Sequence, residues 1–325
     1  MIDTETLKAL LDVHWNLQPS RIEALPSGHT NRTYRVCTDS RPAILRVSWP
    51  NKPPEQVQCE EAVLRHLAAS SGLPALPRTR PALSAQPCLL DDDGRWLHLF
   101  ECIPGNPGLP IGFDSDVADA MRALAHLHSA MTTLPANASS PVAWLNARFN
   151  RVSARHAPVL PAVLPIIQYG EVLERIGALL AAGAAWIPGP VCWVHGDYHA
   201  GNLLFVDGTL SGVIDFDDVG QGSHWLETAF ALFALTRDVA FEERFVFNQP
   251  QWDEGLRAYA SIRFDIDTLR MRERREDLID LFCADQVLIH LEAAQRGLWT
   301  PGSGMGFFAC WRRLLTRVPP CLQTP

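Results

Sequence analysis

Two apolar runs in the second half of the chain are separated by a polar turn. Residues 203–206 and 210–214 are mostly aliphatic, which is typical of short buried strands. Asp207-Gly208 stands between them, and this pair is one of the strongest two-residue hairpin sequences. The pattern therefore predicts a β-hairpin whose second strand returns toward the residues that precede the first.

The remaining chain shows both strand and helix periodicities. Apolar runs predict strands at 25–36, 43–48, 88–90, 96–100 and 191–194. Helical spacing is found over 55–69, 114–130, 171–184, 220–235 and 278–298, and Asp3 can cap a further helix at the start. The strand that ends near residue 100 runs into a cluster of proline and glycine, which is typical of a domain boundary.

Composition narrows the class of protein. The 325 residues can form one large or two ordinary domains, with 47% apolar and 20% charged residues. A net charge of −8 argues against a nucleic-acid partner. No apolar run reaches the roughly 20 residues of a membrane span, and the acidic start does not resemble a secretory signal. Eight scattered cysteines without a C-x-x-C pair indicate reduced thiols and a cytoplasmic protein.

Three polar residues flank the predicted hairpin. Asp197 precedes Asn202 by five positions, the spacing of the aspartate and asparagine in a kinase catalytic loop. Asp215 follows the second strand and opens the sequence D-F-D. If the hairpin brings these residues together, Asn202 and Asp215 can share Mg²⁺ while Asp197 faces an incoming hydroxyl.

Other interpretations of this stretch remain open. Asp and Asn are common in turns, so any one of these residues alone would be explained as a turn former. His195, Asp197 and His199 alternate, and together with Asp215 they could ligate metals in a metal-dependent hydrolase. That hypothesis leaves Asn202 and its spacing unexplained.

The sequences H-G-D-Y-H-A-G-N-L-L-F and G-V-I-D-F-D-D resemble those of the aminoglycoside phosphotransferase and choline kinase superfamily. The chain is most similar to the homoserine-kinase-like and stress-response-kinase-like branch, from about residue 31 to about residue 235. The resemblance implies a two-lobed, protein-kinase-like α+β fold with ATP and Mg²⁺ in the cleft. The expected divisions are a nucleotide-binding lobe at 1–100, a hinge at 101–105 and a helical catalytic lobe at 106–325.

The same resemblance assigns residues to the nucleotide site. Gly28 and Asn31 match the phosphate-covering hairpin of the small lobe, in the pattern G-x-x-N-x-x-Y-x-V. Arg46 stands where relatives usually carry a lysine that binds the nucleotide phosphates. The main chain at the hinge, at Glu101 and Ile103, is expected to bond the adenine edge.

The predicted helix 55–69 supplies a partner for Arg46. Glu60 falls inside the apolar face of this helix, and Glu61 lies at its border. A carboxylate in a buried seam needs a cationic partner, and Arg46 is the obvious candidate. Either glutamate can fill this role on the sequence alone.

The acceptor is the least determined part of the prediction. Members of the superfamily phosphorylate amino sugars, choline, homoserine and, in the stress-response branch, protein serine or threonine. We expect ATP- and Mg²⁺-dependent transfer to a hydroxyl of a small, amine-bearing molecule, with a protein kinase as the alternative. A nucleotide-binding scaffold without activity also stays open.

Some further acidic residues have candidate roles. Asp265, Asp267 and Asp285 are candidate ligands for an amine, and Asp217 is a candidate further contact to metal or substrate. Glu227 replaces the aspartate that braces the catalytic loop in relatives.

Overall fold

The computed structural model describes residues 3–25, 31–39, 41–110, 116–158, 166–300, 302 and 304–316. The helices are α1 (Thr4–Trp15), α2 (Pro54–Leu67), α3 (Asp116–Met131), α4 (Ala143–Ser153), α5 (Ile166–Trp186), α6 (His224–Thr236), α7 (Gln249–Ala260), α8 (Thr268–Glu273), α9 (Arg275–Gln295) and α10 (Phe307–Thr316). The strands are β1 (Arg21–Ala24), β2 (Arg32–Cys37), β3 (Ala43–Val47), β4 (Cys88–Leu90), β5 (Trp96–Glu101), β6 (Asn106–Pro107), β7 (Val191–Val194), β8 (Leu203–Val206), β9 (Thr209–Val213) and β10 (Gly220–Ser223).

An antiparallel sheet forms the centre of a small lobe in the first part of the chain. Its five strands lie in the order β1-β2-β3-β5-β4. Leu7 and Leu11 of α1 pack into the apolar cluster of this sheet, and the Asp3 side chain caps α1 by accepting the N–H of Thr6 at 2.9 Å. The predicted cap and the predicted strands are therefore present, whereas β1 was not predicted.

The rest of the chain is mainly helical and shares one large apolar core. Helices α3, α6 and α9 contribute the central layer of this core, and their buried side chains include Leu124, Phe233 and Phe282. Helix α2 also contributes Val63, Leu64 and Leu67, so the core continues into the small lobe. A small antiparallel lobe followed by a larger helical one is the predicted architecture, and the boundaries at 101–105 stay a prediction.

The hairpin at the centre of the sequence is confirmed. β8 and β9 pair in antiparallel fashion, and Asp207 and Gly208 at the turn have φ angles of 49° and 75°. Two positive φ values in succession define a turn that matches the twist of the flanking strands. β6 extends the sheet by pairing with β8.

The predicted start of the helix at residue 220 is wrong. Gly220–Ser223 forms β10, which pairs with β7, and the helix begins at His224. The reason is tertiary: a Cβ added at Gly222 would lie 2.1 Å from the Trp144 ring. This segment therefore uses glycine to pass a large aromatic side chain on a helix that the sequence did not predict.

Helices α4, α7 and α10 were not predicted. None of the helices in the described part of the chain is long and apolar enough to cross a bilayer.

Candidate active site

The loop between β7 and β8 carries Asp197, and its conformation depends on Gly196. This glycine has φ 81°, and a Cβ there would lie 2.1 Å from the carbonyl oxygen of Asp218. A side chain at this position would therefore separate the loop from the segment that follows β9. This tight contact places the loop that carries Asp197 next to the segment that carries Asp215.

Glu227 on α6 holds the same loop from beneath. Its carboxylate accepts the backbone N–H of Gly196 at 2.6 Å and that of His195 at 3.0 Å. The contact reaches further into the core, because His128 bonds Glu227 at 2.7 Å and the hydroxyl of Tyr259 at 2.7 Å. The longer glutamate thus contacts the loop directly and is itself held by two buried side chains.

Asp197 is held by its neighbours in the loop and keeps 30% of its side chain exposed. The amide nitrogen of Asn202 donates to the Asp197 carbonyl at 2.9 Å and to its carboxylate at 3.3 Å. The His199 imidazole lies 3.4 Å from the same carboxylate. Desolvation alone would raise the pKa of Asp197, but the charge of His199 holds this pKa well below its usual range. Asp197 is therefore a carboxylate at neutral pH.

The end of the hairpin reaches this loop through Ile214. The Ile214 N–H donates to the carbonyl of Asn202 at 2.9 Å, and the Ile214 carbonyl accepts from Nε2 of His195 at 3.1 Å. The next residue, Asp215, is left-handed with φ 63°, a conformation that aspartate tolerates better than most residues. Asp197, Asn202 and Asp215 line one cavity, so the structure brings together the three residues predicted to surround the reaction.

Asp215 lies among other carboxylates. Desolvation in the cleft and the negative charge of Asp217 raise the pKa of Asp215 to about 7. A cation bound at this carboxylate would offset the repulsion. The Asn202 amide oxygen is also available, since its amide nitrogen is committed to Asp197.

The residues of the hydrolase hypothesis do not converge on a common point. His195 is fully buried, with Nε2 bonded to Ile214 and Nδ1 accepting the N–H of Asp197 at 3.3 Å. Nδ1 of His199 is likewise occupied by the N–H of Gly201 at 3.0 Å. No cluster of three or more His, Cys, Asp or Glu side chains suited to a metal occurs within the described residues.

Arg46 on β3 pairs with Glu60 on α2, and both side chains are buried. The guanidinium also lies 3.5 Å from Asp215 and 3.7 Å from Asp217. Glu61 is engaged elsewhere, since it accepts the Thr79 hydroxyl at 3.3 Å. The geometry thus selects Glu60 between the two candidate glutamates.

Lys52 belongs to the site although the sequence did not indicate it. It follows β3 in a turn, is only 2% exposed, and forms an ion pair with Asp217. Desolvation would raise the pKa of Asp217, but the charges of Lys52 and Arg46 hold it well below its usual range. A lysine beside two prolines in a turn is usually solvated, and its partner is 165 positions away.

Four other residues were predicted to contact the nucleotide, and the structure describes three of them, Asn31, Glu101 and Ile103. Asn31 is buried in the small lobe, and Gly28 lies outside the described residues. The Glu101 N–H donates to the carbonyl oxygen of Arg78 at 2.9 Å. The Ile103 N–H has no hydrogen-bond partner within the described part of the chain. The Ile103 N–H is therefore free to donate to a ligand.

A cavity of about 490 Å³ opens beside Asp197. It lies between α6 and α9, and its lining includes Trp144, Phe230, Phe282 and two further carboxylates, Asp218 and Asp285. Both carboxylates contact the buried Arg148 of α4, with Asp218 at 3.2 Å. Burial raises the pKa of Asp285 to about 6.

The other two acidic candidates lie outside this cavity. Asp265 pairs with Arg263 at 2.7 Å, and Asp267 caps α8 by accepting the N–H of Arg270 at 2.9 Å. Of the three candidate amine ligands, the structure places Asp285 alone in the cavity beside Asp197. The partner of Asp285, Arg148, could not be predicted because α4 has no clear sequence signal.

Comparison with known proteins shows the relationship of the chain. Residues 21–273 match the family described as the phosphotransferase enzyme family, APH. A homoserine kinase from Acidiphilium cryptum (strain JF-5) is 28% identical over 242 residues, which cover 74% of this chain and 71% of the relative.

Solved structures show the same fold. Amicoumacin kinase hAmiN, solved with AMP-PNP, Ca²⁺ and Ami, superposes with a TM-score of 0.70 at 13% identity over 96% of this chain and 93% of its own. A microcompartment-associated aminopropanol kinase gives a TM-score of 0.66 at 18% identity, over 96% of this chain and 94% of its own. The predicted two-lobed kinase-like fold is therefore confirmed.

Proposed function

The chain belongs to the phosphotransferase enzyme family, and we propose that it moves the γ-phosphoryl group of ATP, with Mg²⁺, to a hydroxyl of a small amine-bearing molecule. One observation carries this proposal: Asp197, Asn202 and Asp215 line a single cavity, and two hydrogen bonds through Ile214 join their segments. Positioning of this kind supplies most of the catalysis in phosphoryl transfer.

The residues at the hairpin end suit Mg²⁺. Asp215 and Asn202 present a carboxylate and an amide oxygen, which are the hard oxygen ligands that this ion prefers. Burial, together with the negative charge of Asp217, raises the pKa of Asp215, and a cation bound at this carboxylate would favour its ionised form. Bound there, Mg²⁺ would offset the charge of the triphosphate and orient it.

Asp197 would act on the acceptor. Its carboxylate is partly exposed to the cavity and held by Asn202, so it can accept a hydrogen bond from an incoming hydroxyl. As the acceptor oxygen bonds to the γ-phosphorus, the bond from that phosphorus to the bridging oxygen of ADP breaks. The hydroxyl proton passes to Asp197, and ADP leaves. The loop would keep this geometry because Glu227 and Gly196 fix its backbone.

Two buried cations would bind the nucleotide phosphates. Arg46 is oriented by Glu60, and its planar guanidinium can meet phosphate oxygens in pairs. Lys52 is held nearby by Asp217 and adds a compact positive charge. The hinge would bond adenine through the Glu101 carbonyl and the Ile103 N–H.

The cavity favours a small acceptor. A volume near 490 Å³ lies within the range of about 300–1,000 Å³ for small-molecule sites. Asp218 and Asp285 supply negative charge for an amine, and Trp144 and Phe230 supply apolar walls. Homoserine kinase and aminopropanol kinase are named for amino alcohols, which fit this description.

The test is Asp197→Asn assayed for ADP release and acceptor phosphorylation over amino alcohols, hydroxy amino acids and aminoglycosides. We expect the variant to lose about 10²-fold or more of the turnover, because the positioned base is removed without loss of volume. Asp207→Asn is the matched control. It makes the same chemical change at an exposed turn where asparagine tolerates the positive φ.

Full phosphotransfer by Asp197→Asn would refute the proposal. So would turnover that needs tightly bound zinc or manganese and no ATP, since that behaviour defines a metal-dependent hydrolase.

A further inference from the structure

The walls of the acceptor cavity are two helix faces. Successive turns of α6 contribute Glu227, Phe230 and Ala234, and Arg237 follows directly after the helix. From Glu227 beneath the catalytic loop to Arg237, ten residues span about 15 Å along the helix axis. The long Arg237 side chain lines the same cavity as Asp197, and its charge is close enough to act on His199 of the catalytic loop.

Arg237 has no carboxylate partner in the described part of the chain. Its guanidinium lies over the ring of Phe282, 5.3 Å from the centroid. Nη1 is buried and has no hydrogen-bond partner among the described residues, and no ion pair to Arg237 is formed within them. An unpaired buried donor is costly, and more so when it is charged, so a ligand that accepts a hydrogen bond from Nη1 would be favoured there.

Nearby carboxylates are already committed to other groups. Asp285 and Asp218 are held by Arg148. Glu242, on the segment after α6, accepts the N–H groups of Gly304 at 2.7 Å and Phe308 at 3.0 Å. Arg237 thus faces the cavity as a cation that the described part of the chain does not neutralise.

This inference rests on the proposed function and narrows its acceptor. We propose that Arg237 binds a carboxylate of the acceptor, so that the substrate is a hydroxy amino acid and not a simple amino alcohol or aminoglycoside. Its ammonium group lies at Asp218 and Asp285, its carboxylate lies at Arg237, and its hydroxyl lies at Asp197.

The charge pattern favours a carboxylate over a phosphate group. A guanidinium matches a carboxylate in a bidentate fork. A dianionic phosphate would bring two negative charges into a cavity that already carries Asp197, Asp215, Asp218 and Asp285. A zwitterionic acceptor adds no net charge to the cavity. Its ammonium group can pair with Asp218 and Asp285, and its carboxylate can pair with Arg237.

The experiment compares acceptors that differ only in the carboxylate. Homoserine and 3-aminopropan-1-ol form one such pair for turnover. The hydroxyl-free pair 2-aminobutyrate and propylamine tests binding by calorimetry without any transfer. The proteins are the wild type, Arg237→Gln, Arg237→Lys and Arg244→Gln, where Arg244 is an exposed arginine seven positions away.

We expect the wild type to favour the carboxylate member by about 10- to 100-fold in kcat/KM, mainly through KM. Arg237→Gln should bring this ratio close to one, Arg237→Lys should keep part of it, and Arg244→Gln should keep all of it. Binding of 2-aminobutyrate should be saturable in the wild type and in Asp197→Asn, and lost in Arg237→Gln.

The outcomes separate this inference from the proposed function. If the carboxylate probe binds through Arg237 but nothing is phosphorylated, the carboxylate site stands and the transferase proposal fails. If Asp197-dependent transfer occurs with the same ratio in the wild type and Arg237→Gln, the carboxylate site is refuted and the transferase stands. Absence of saturable 2-aminobutyrate binding to the wild type, or binding of phosphoethanolamine in its place, also refutes the carboxylate site.

Discussion

Arg46 lies at the point where carboxylates from both lobes meet. Glu60 of α2 is completely buried against it, while Asp215 and Asp217 approach from the segment after β9 at 3.5 and 3.7 Å. A guanidinium has five donors in a fixed plane and can serve several carboxylates at once, which an ammonium group cannot do in the same geometry. The presence of arginine here is thus consistent with the crowding of acids around it.

Replacing Arg46 with glutamine should leave Glu60 buried without its charge partner. We expect the free energy of unfolding to fall by about 3–5 kcal/mol at neutral pH, the usual cost of breaking a buried pair. Urea unfolding monitored by tryptophan fluorescence measures this loss. The KM for ATP should rise in parallel, because the same guanidinium is proposed to bind the phosphates.

The pH dependence of this loss has a defined sign. In the wild type, desolvation opposes ionisation of Glu60, but the charge of Arg46 lowers its pKa below the ordinary 4.5. This contribution to stability is therefore present above pH 4.5 and is lost as the pH falls through the lowered pKa. In Arg46→Gln the buried Glu60 should hold its proton, so the stability lost relative to wild type should grow from pH 4 to pH 7. A loss that is constant over this range would contradict the pairing.

At the scale of elements, α6 connects the catalytic loop to the core. Its residue Glu227 accepts two backbone N–H groups of the loop and one bond from His128. Beyond His128, the Tyr259 hydroxyl of α7 completes the chain of hydrogen bonds. The position of Asp197 therefore depends on α6, which lines the cavity, and on α3 and α7, which hold Glu227 from behind.

Glu227→Gln tests this connection. Glutamine has the same length but replaces one accepting oxygen with a donor that faces another N–H or the His128 ring. We expect kcat to fall by about 10²-fold, the effect of a small displacement of a catalytic group, with a smaller change in the KM for ATP. Steady-state kinetics with separate kcat and KM values provide the measurement.

Tyr259→Phe provides a graded comparison, because it removes only the far end of the same chain of hydrogen bonds. Its effect on kcat should be smaller than that of Glu227→Gln. An equal loss in kcat/KM for the two variants, or a change confined to KM, would contradict a role of Glu227 in positioning the loop.

Local signals account for the elements that the sequence could predict. Asp207-Gly208 specifies its turn by backbone conformation alone, and the spacing of Asp197 and Asn202 reflects contacts within one loop. The predicted hairpin also indicated that Asp215 returns to the loop that carries Asp197 and Asn202. Gly220–Ser223 was assigned to a helix because nothing local shows that Gly222 must pass Trp144.

Other parts of the site depend on contacts between distant positions. Lys52 meets Asp217 across 165 positions, and Arg148 meets Asp285 across 137. Neither cation lies in a sequence pattern that distinguishes it from a solvated side chain. Arg237 likewise acquires its surroundings from α9, so the positive lining of the cavity could not be predicted from sequence periodicity.

At the scale of the whole molecule, polar contacts join the two lobes in addition to the apolar core that they share through α2. Lys52 pairs with Asp217, and the Gln56 side chain donates to the Asp217 carbonyl at 3.4 Å. Arg296 at the end of α9 lies over the ring of Trp49, 3.8 Å from its centroid. These contacts bridge the two lobes, so opening of the lobes would expose Lys52.

The chain offers a direct chemical probe of this opening, because Lys8 and Lys52 are its only lysines. Lys8 lies on the exposed face of α1 with 40% of its side chain accessible, whereas the Lys52 side chain is 1% accessible. A lysine-selective acetylating reagent, followed by peptide mass spectrometry, should therefore modify Lys8 about 10-fold or more faster than Lys52.

Weakening the contact between the lobes should change only one of these rates. Arg296→Gln removes the cation over Trp49, and we expect Lys52 to react several-fold faster while Lys8, far from the cleft, reacts at the wild-type rate and serves as the internal control. Addition of Mg²⁺ and a non-hydrolysable ATP analogue should slow the reaction of Lys52, because the nucleotide binds the closed arrangement and shifts the population toward it. Equal rates at the two lysines in the unliganded wild type would show that Asp217 does not hold Lys52 in solution, and the lobes would then be open without the nucleotide.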